Sequence, residues 1–297
     1  MAGTLIIFDF DETIIDCESD DWVVDELGAT EVFHSLLHTM PWNSLMDRMM
    51  REIQGQVRTI EDIAEVLRRV SLDHHVVSAI RTSSVLGCDL RVVSDANAFF
   101  IEAILERHGI MECFTEIITN PSYVDDEGRL RISPYHNYAK SSHGCPICPP
   151  NMCKSKIMER IRAEGTKRVI YLGDGKGDYC PSLQLEYGDF VMPRKNYPLR
   201  YLIQDDPSLL KAGIHEWSNG ADMEWVLLEL VKRTDLSSNA SVACKMETNA
   251  VPSRAGLPKA LQIAQKKKKN GANFRPNYHK TTNNKINTFS TLNKLEQ

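Results

Sequence analysis

The sequence Leu5-Ile6-Ile7-Phe8-Asp9-Phe10-Asp11-Glu12-Thr13 carries two carboxylates directly after a short apolar run. The run predicts a buried strand over residues 4–8, so that Asp9 and Asp11 stand where the strand passes into a loop. A buried pair of carboxylates is costly unless a cation or a proton compensates it. The stretch therefore predicts a candidate metal site and a candidate nucleophile site at the end of a strand.

Beyond this stretch, short apolar segments alternate with helical patterns along most of the chain. Strands are predicted over 90–93, 115–119, 130–132, 168–172 and 189–192, and helices over 98–108, 152–163, 179–184 and 222–232. This alternation is typical of an α/β fold with a mostly parallel sheet that is covered on both faces. Residues 19–87, between the first two strands, show only helical patterning and are too long for a simple crossover. We therefore predict an inserted helical domain there.

The charge of the chain is distributed unevenly. The 297 residues carry a formal charge of −5, but residues 234–297 hold eleven Lys or Arg and only three acids, which leaves −13 on residues 1–233. An acidic body does not indicate nucleic acid as the main partner. The segment 234–297 is rich in Ser, Asn, Thr and Lys, has few large apolar residues, and is predicted to be disordered. Its run Lys266–Lys269 is interpreted as a solvated charge run, with a nuclear address or a polyanion contact as alternatives.

The remaining compositional features concern location and cysteine chemistry. The first apolar run is too short for a signal peptide, and no run approaches 18 apolar residues, so we expect a cytoplasmic protein without a membrane partner. The eight cysteines are then expected to be mostly reduced thiols. Cys145-x-x-Cys148 and Cys153 supply three of the four ligands that a structural zinc site needs. His136, His143 and Cys180 are candidates for the fourth, and the sequence alone does not assign a metal there.

Four polar segments fall at predicted strand ends or helix starts. Besides Asp9 and Asp11, they are Ser94-Asp95-Ala96-Asn97 after the second strand, Lys154 near the start of a helix, and the loop Gly173-Asp174-Gly175-Lys176-Gly177-Asp178. Ligands of open α/β sheets bind beyond the carboxyl ends of the strands, so all four segments are expected at one crevice.

These residue types match the needs of phosphoryl transfer through a covalent intermediate. Asp9 fits the nucleophile and Asp11 the general acid and base. Asp174 and Asp178 fit ligands of Mg²⁺, which neutralises phosphoryl oxygens. Ser94 can supply a hydroxyl and Lys154 a cation for the remaining phosphoryl oxygens.

Four segments of this chain resemble the four motifs of the haloacid dehalogenase superfamily, over about residues 4–230. They are Asp9-x-Asp11-x-Thr13, Ser94, Lys154 and Gly173-Asp174-x-x-x-Asp178. Asp11 occupies the second position after the nucleophile. Ion pumps of similar fold have Thr at that position, and dehalogenases have no acidic residue there, so Asp11 favours phosphomonoester chemistry. Further segments resemble the phosphoethanolamine/phosphocholine phosphatase group, plant relatives of which are described as pyrophosphatases or thiamine phosphate phosphatases. These segments are Phe8–Ile14, Ser19-Asp20-Asp21, Ser94–Asn97, Cys145-Pro-x-Cys148, Asn151–Lys154 and Asp178-Tyr179-Cys180-Pro181.

The resemblance implies a division of the chain and a ligand set. A Rossmann-like core would comprise residues 1–18 and 88–233, and residues 19–87 would form a cap that closes over the substrate and excludes water. Asp9 would also bind the metal, Asp11 would contribute its backbone carbonyl, Asp174 would be the third ligand, and Asp178 would bind directly or through water.

The resemblance also places Asp20 and Asp95 near the leaving group, where a carboxylate would attract an ammonium group. The alternatives are a helix N-cap for Asp20 and a loop brace for Asp95. For Ser94, capping of the helix that follows is an alternative or additional role. Lys156 competes with Lys154, but the family pattern selects Lys154.

The expected protein is a Mg²⁺-dependent phosphatase of small phosphorylated metabolites, with phosphoethanolamine and phosphocholine as favoured substrates. The alternatives keep the chemistry and change the substrate to pyrophosphate, pyridoxal 5′-phosphate or thiamine monophosphate. A non-catalytic binding protein on the same fold is a further alternative, which the intact residue set disfavours. The sequence specifies no oligomeric state.

Overall fold

All the predicted strands except 130–132 lie in one parallel sheet in the computed structural model, which describes residues 3–165 and 167–240, the last seven as backbone only. The strands are β1 (Thr4–Phe8), β2 (Asp89–Asn97), β3 (Glu116–Asn120), β4 (Ser122–Val124), β5 (Leu130–Ile132), β6 (Arg168–Gly173), β7 (Phe190–Pro193) and β8 (Gly213–Ile214). Six of them pair in the order β3-β2-β1-β6-β7-β8, and β4 and β5 form a separate antiparallel hairpin. The predicted α/β class with a parallel sheet is confirmed.

The helices lie between the strands, as the alternation predicts. They are α1 (Ser19–Glu26), α2 (Thr30–Leu36), α3 (Trp42–Gly55), α4 (Ile60–Arg68), α5 (His74–Val85), α6 (Ala98–Arg107), α7 (Lys154–Ala163), α8 (Tyr179–Ser182), α9 (Pro198–Asp205) and α10 (Gly220–Ala240). Three short 3-10 turns span Met111–Cys113, Lys176–Asp178 and Pro207–Leu209. None of the described helices combines the length and apolar character that crossing a bilayer requires.

Strand β1 lies at the centre of the sheet, and all five of its residues are buried. A strand that is covered on both faces has no solvent side, which explains why its sequence is apolar without alternation. In register, Phe8 pairs with Val92 of β2 and with Leu172 of β6. The carboxyl ends of these three strands therefore meet at one edge, and the residues after them enter the same crevice.

The insert between β1 and β2 consists of helices α1 to α5. Helix α4 begins directly after Thr59, whose hydroxyl forms a reciprocal capping box with the Asp62 carboxylate. Helix α5 packs along α10 and onto β2, while α3 packs on the hairpin strand β5. Arg131 of β5 holds Asp47 of α3 with two hydrogen bonds of 2.8 Å. One continuous apolar cluster joins the insert to the sheet.

Some boundaries differ from those predicted. Helix α9 and strand β8 carry no clear sequence signal, since β8 has only two residues and α9 is a short helix that begins at Pro198. Strand β2 continues to Asn97, and helix α10 continues to Ala240, beyond the predicted boundary at 233. The remainder of the predicted disordered tail, residues 241–297 with Lys266–Lys269, lies outside the described residues.

The packing of α10 on α5 generates a test of stability. The Leu227 side chain is fully buried in the apolar cluster, whereas Trp225 on the same helix is 69% exposed. Leu227→Ala should lower the free energy of unfolding by about 2–5 kcal/mol, because a buried cavity replaces the lost contacts. Trp225→Ala, the control, should change it by less than about 0.5 kcal/mol. Urea denaturation measures both, and an equal loss in the two variants would contradict this packing.

Candidate active site

Three neighbouring strands deliver their polar residues to one edge of the sheet. Asp9 follows β1, Ser94 lies near the end of β2, and Asp174 follows β6. The backbone N–H of Asp9 still donates to the carbonyl of Leu172 at 2.9 Å, so Asp9 is held at the rim of the sheet. The structure thus brings together residues that are as much as 165 positions apart, as the topology of an open α/β sheet predicts.

The centre of the site is a buried cluster of three carboxylates and one ammonium. Oxygen atoms of Asp9, Asp174 and Asp178 lie within 4.8 Å of one another. Lys154 is 3% exposed, and its Nζ lies 2.8 Å from Asp9 Oδ2 and 2.8 Å from Asp178 Oδ1. Lys156, the competing lysine, is exposed on the other side of α7, which selects Lys154 as the lysine of the site.

Asp178 has its carboxylate fully engaged by protein donors. Oδ1 accepts from Lys154 and from the Tyr171 hydroxyl at 2.7 Å, and Oδ2 accepts from the backbone N–H groups of Asp174 and Gly175. A Cβ at Gly173 would lie 2.5 Å from the Asp178 carboxyl carbon, which explains why glycine occupies this position. Of the two predicted modes of metal binding by Asp178, this engagement favours the one through water.

The cluster has more carboxylates than positively charged groups, so a further cation would balance its charge. Burial raises the pKa of Asp9 well above its usual value, and the charge of Asp178 raises it further against the opposing effect of Lys154. Burial and Asp178 likewise raise the pKa of Asp174. Burial lowers the pKa of Lys154, but the carboxylates of Asp178 and Asp9 outweigh it and hold that pKa above its ordinary value. Oxygen donors with this excess of negative charge fit Mg²⁺, with Asp9 and Asp174 as the carboxylates available to bind it.

Asp11 is separate from this cluster and has a different environment. Its Oδ1 accepts a hydrogen bond of 2.8 Å from the backbone N–H of Ser19, at the start of α1. Burial raises the pKa of Asp11 to about 7, since it outweighs the hydrogen bonds from Ser19, and the charges of Asp95 and Glu12 add to the rise. A carboxyl group that titrates near neutrality can donate and accept a proton at working pH, as the predicted acid and base role requires.

Ser94 lies in an irregular part of β2. The pairing of β2 with β3 is interrupted between Val93 and Asn97, and Ser94 is fully buried there, with its Oγ accepting from the N–H of Ala96. The helix cap is Asn97, whose Oδ1 accepts from the N–H of Phe100 at 3.1 Å. The alternative role of Ser94 as the cap of α6 is therefore wrong, and its location is compatible with phosphoryl binding.

The two predicted substrate-binding acids have different surroundings. Asp20 is buried in the first turn of α1, and its Oδ2 accepts a hydrogen bond of 2.6 Å from the indole of Trp42. Its Oδ1 has no hydrogen-bond partner among the described residues. Burial and the charge of Asp11 raise the pKa of Asp20 well above its usual value. Asp95 is exposed, and its charge acts on Asp9, Asp11 and Asp20, so both acids belong to the same crevice.

Asp20 does not act as the N-cap of α1, because that position is Glu18. Glu18 is an acid that the sequence interpretation missed. Desolvation by the crevice walls raises its pKa, and the charges of Asp11, Asp174 and Asp95 raise it further. The residue as a whole remains exposed although its carboxylate is partly desolvated, so Glu18 stands at the mouth of the site.

Arg194 is a second missed residue, and it holds the loop after β1. Its guanidinium donates to the Glu12 carbonyl at 2.7 Å and to Glu12 Oε2 at 2.9 Å, and it also pairs with Asp16. The ring of Tyr197 stacks on it, and the Tyr197 hydroxyl donates to Glu12. Arg194 directly follows β7, and this position after a strand is the sequence feature that could have identified it as a residue of the site.

Asn120, at the end of β3, is the third missed residue. Its amide nitrogen donates to the carbonyls of Asp95 and Ala96, and its Oδ1 accepts from the buried Asn151 at 3.2 Å. Asn151 lies three residues before Lys154. Asn120 therefore ties the Ser94 segment to the segment that leads into the lysine.

Comparisons with known proteins identify the family of the chain. The family model described as "Putative Phosphatase" matches residues 4–231. The chain is 52% identical over 275 residues to "Inorganic pyrophosphatase 1" of Arabidopsis thaliana, covering 86% of this chain and 93% of that protein. It is 52% identical to "Thiamine phosphate phosphatase-like protein" of the same plant, covering 78% and 96%. It is 33% identical to human "Phosphoethanolamine/phosphocholine phosphatase", covering 77% and 89%.

Solved structures support the fold. A "had family hydrolase" of Salmonella enterica aligns with a TM-score of 0.52 at 17% identity, covering 76% of this chain and 71% of that one. A phosphoserine phosphatase, solved as a phospho-aspartyl intermediate analogue, aligns with a TM-score of 0.50 at 18% identity, covering 78% and 99%. The chain belongs to the "Putative Phosphatase" family and is a phosphatase with the haloacid dehalogenase fold.

Proposed function

We propose that this protein is a Mg²⁺-dependent phosphatase that hydrolyses small phosphomonoesters through a phosphorylated Asp9. The observation that carries the proposal is the contact of buried Lys154 with both Asp9 and Asp178, beside Asp174. This arrangement combines a nucleophile, a cation for phosphoryl oxygens and an unbalanced negative charge that suits a divalent metal.

Each protein residue has a definable part in the reaction. An Asp9 oxygen attacks phosphorus, the ester P–O bond breaks, and Asp11 gives its proton to the leaving alcohol oxygen. A water molecule then attacks the phosphoryl group, Asp11 takes the proton of that water, and the P–O bond to Asp9 breaks to release phosphate. Lys154 and Ser94 hold the phosphoryl oxygens through both steps. The order returns Asp9 and Asp11 to their starting states.

Asp9, Asp174, the Asp11 carbonyl and, through water, Asp178 would hold the metal. Bound Mg²⁺ supplies charge compensation for the phosphoryl oxygens and for the carboxylates themselves. The helical insert of residues 19–87 serves as the cap, because it brings Asp20 and Trp42 to the crevice and limits the access of water.

Acidic residues line the part of the crevice outside the phosphoryl site. One buried oxygen of Asp20 has no hydrogen-bond partner within the described part of the chain, and Asp95 and Glu18 add two exposed carboxylates. Such a crevice attracts a leaving group with positive charge. We therefore propose phosphomonoesters of cationic alcohols as substrates, with phosphoethanolamine and phosphocholine favoured. Thiamine monophosphate, whose leaving alcohol is also a cation, belongs to the same chemical class.

Pyrophosphate is the second candidate substrate. It is favoured by the relatives from Arabidopsis thaliana, at 52% and 54% identity, that are named inorganic pyrophosphatases. Its leaving group is an anion, so the same acidic residues would oppose it unless metal ions neutralise it. The effect of removing one of these charges separates the two candidates.

Asp9→Asn should lower kcat by at least about 10³-fold, because the amide cannot attack phosphorus at a useful rate. Acid-quenched reactions with ³²P-labelled substrate should trap a hydroxylamine-sensitive acyl phosphate on the wild type and none on the variant. Asp222→Asn, which changes an exposed carboxylate at the start of α10, is the matched control and should keep full labelling. Equal labelling of Asp9→Asn would refute the covalent mechanism.

Asp20→Asn should lower kcat/KM for phosphoethanolamine at least about fivefold, because it removes one charge near the ammonium and keeps an oxygen for the Trp42 indole. Hydrolysis of glycerol 2-phosphate, which has a neutral alcohol, should change little, and hydrolysis of pyrophosphate should stay the same or rise. Asp25→Asn on the exposed side of the same helix is the control. A uniform loss on all three substrates would exclude recognition of a cationic leaving group by Asp20.

Removal of divalent metal by EDTA should abolish turnover, and added Mg²⁺ should restore it. Asp174→Asn should raise the Mg²⁺ concentration for half-maximal activity by about tenfold or more, because a neutral amide replaces a charged ligand. Thr13→Val, which removes only the hydroxyl that donates to Asp174 Oδ1 at 3.2 Å, should give a smaller increase. An unchanged Mg²⁺ requirement in Asp174→Asn would show that this carboxylate is not a ligand.

A further inference from the structure

A second cluster of metal-ligating side chains lies next to the active site. The Sγ atoms of Cys145, Cys148, Cys153 and Cys180 all lie within 4.8 Å of one another. The sulfurs of Cys145 and Cys180 lie 3.6 Å apart. Cys153 and Cys180 are buried, and the other two are partly buried.

The spacing of the sulfurs matches tetrahedral coordination. Four thiolates at a Zn–S distance of about 2.3 Å lie about 3.8 Å from one another. A disulfide would place two sulfurs about 2 Å apart, and it would join pairs rather than gather four thiols. Closed sites with four protein ligands are typical of structural zinc, whereas a catalytic zinc keeps an open position.

The histidines near the cluster are not needed as ligands. His143 accepts from the N–H of Cys145 at Nδ1, and its Nε2 lies 2.7 Å from the Pro149 carbonyl. Both ring nitrogens are thus engaged in bracing the turn that carries Cys145 and Cys148. His136 is not among the side chains whose ligand atoms converge. Of the three candidates for the fourth ligand, Cys180 is the one that joins the other cysteines.

The loop that carries three of the four cysteines has little structure of its own. Residues 133–153 contain no helix or strand, although they connect β5 to the catalytic helix α7. A connection of this length inside a compact fold needs a local constraint, because turns alone do not offset its ordering entropy. A metal bound by Cys145, Cys148 and Cys153 would supply that constraint.

The cluster also joins the two segments that carry the active-site charges. Cys153 directly precedes Lys154, at the N-cap of α7, where the helix dipole favours a negatively charged sulfur. Cys180 follows Asp178 by two residues. Ser155 strengthens the junction, since its Oγ donates to the Cys180 carbonyl at 2.8 Å. A metal held by Cys153 and Cys180 would therefore hold Lys154 and Asp178 in contact.

We propose that Cys145, Cys148, Cys153 and Cys180 bind one structural Zn²⁺ as four thiolates, separate from the Mg²⁺ site. Each thiol releases its proton to solvent when its sulfur binds the metal, and no oxidation is involved. The zinc fastens the loop of residues 133–153 to the start of α7 and to the segment after Asp178.

The test is the metal content of the purified full-length protein, measured by mass spectrometry after dialysis against EDTA to remove Mg²⁺. We expect about one zinc per chain, released in step with four thiols when a mercurial is added. Cys148→Ser should lower the zinc content at least tenfold, and Cys113→Ser, which changes a cysteine outside the cluster, should leave it unchanged. Asp174→Asn should also keep its zinc.

Other results would overturn the proposal. One is a wild-type protein that contains no zinc and whose four thiols react freely, and another is a disulfide between any two of the four cysteines. A third is loss of zinc from Asp174→Asn, because that loss would assign the metal to the active site. Two readouts avoid dependence on folding of the cysteine variants. Co²⁺ exchanged into the wild type should show thiolate-to-metal charge-transfer bands, and stripping the metal should speed tryptic cleavage after the exposed Lys140 in the loop. Absence of both effects would equally refute the site.

Discussion

The compensation of buried negative charge around Lys154 is the constraint on which the site depends. Its ammonium contacts Asp9 after β1 and Asp178 after β6, and it projects from the first turn of α7. Removing one partner of such a group leaves a buried charge unpaired, which is far more costly than losing an exposed ion pair. One ammonium cannot balance three carboxylates, and burial together with the charge of Asp178 raises the pKa values of Asp9 and Asp174. A divalent cation bound by Asp9 and Asp174 would balance the remaining negative charge and would supply positive charge for a phosphoryl group.

Residues that take no part in the chemistry hold these groups in position. Arg194 fastens the loop after β1 through Glu12, and Asn120 connects the Ser94 segment to the approach to Lys154. The proposed zinc at the four cysteines would serve the same purpose next to Lys154. Preorganisation of this kind lets electrostatic groups act on the transition state without rearrangement, which is where most of their catalytic effect arises.

In the proposed function, substrate choice rests on a different set of residues from the reaction itself. The helical insert contributes Asp20, held by the indole of Trp42, and the end of β2 contributes Asp95. The names of the relatives divide between an anionic leaving group and cationic ones, although these relatives belong to one family with this chain. A few charges at the mouth of a shared phosphoryl site are sufficient to separate such substrates, because each close charge pair changes the interaction energy by about 1–4 kcal/mol.

The sequence by itself determined the class of fold, the helical insert and the main residues of the crevice. Apolar runs that end near Asp9, Ser94 and Asp174 predict these features, because both the hydrophobic periodicity and the polar residues at a strand end can be read from residues that are neighbours in sequence. Only the tertiary structure decided three other features. The helix cap is Asn97 and not Ser94, the carboxylate of Asp178 is fully engaged by protein donors, and Arg194 and Asn120 hold the loops of the site. The Lys154 contact of Asp178 and the contacts of Arg194 and Asn120 join segments 24 to 182 residues apart, the cap position depends on a bulge in one strand, and none of these leaves a periodic signal in the chain. The convergence of Cys180 with three cysteines of a distant loop is of the same kind, since only folding brings their sulfurs within reach of one ion.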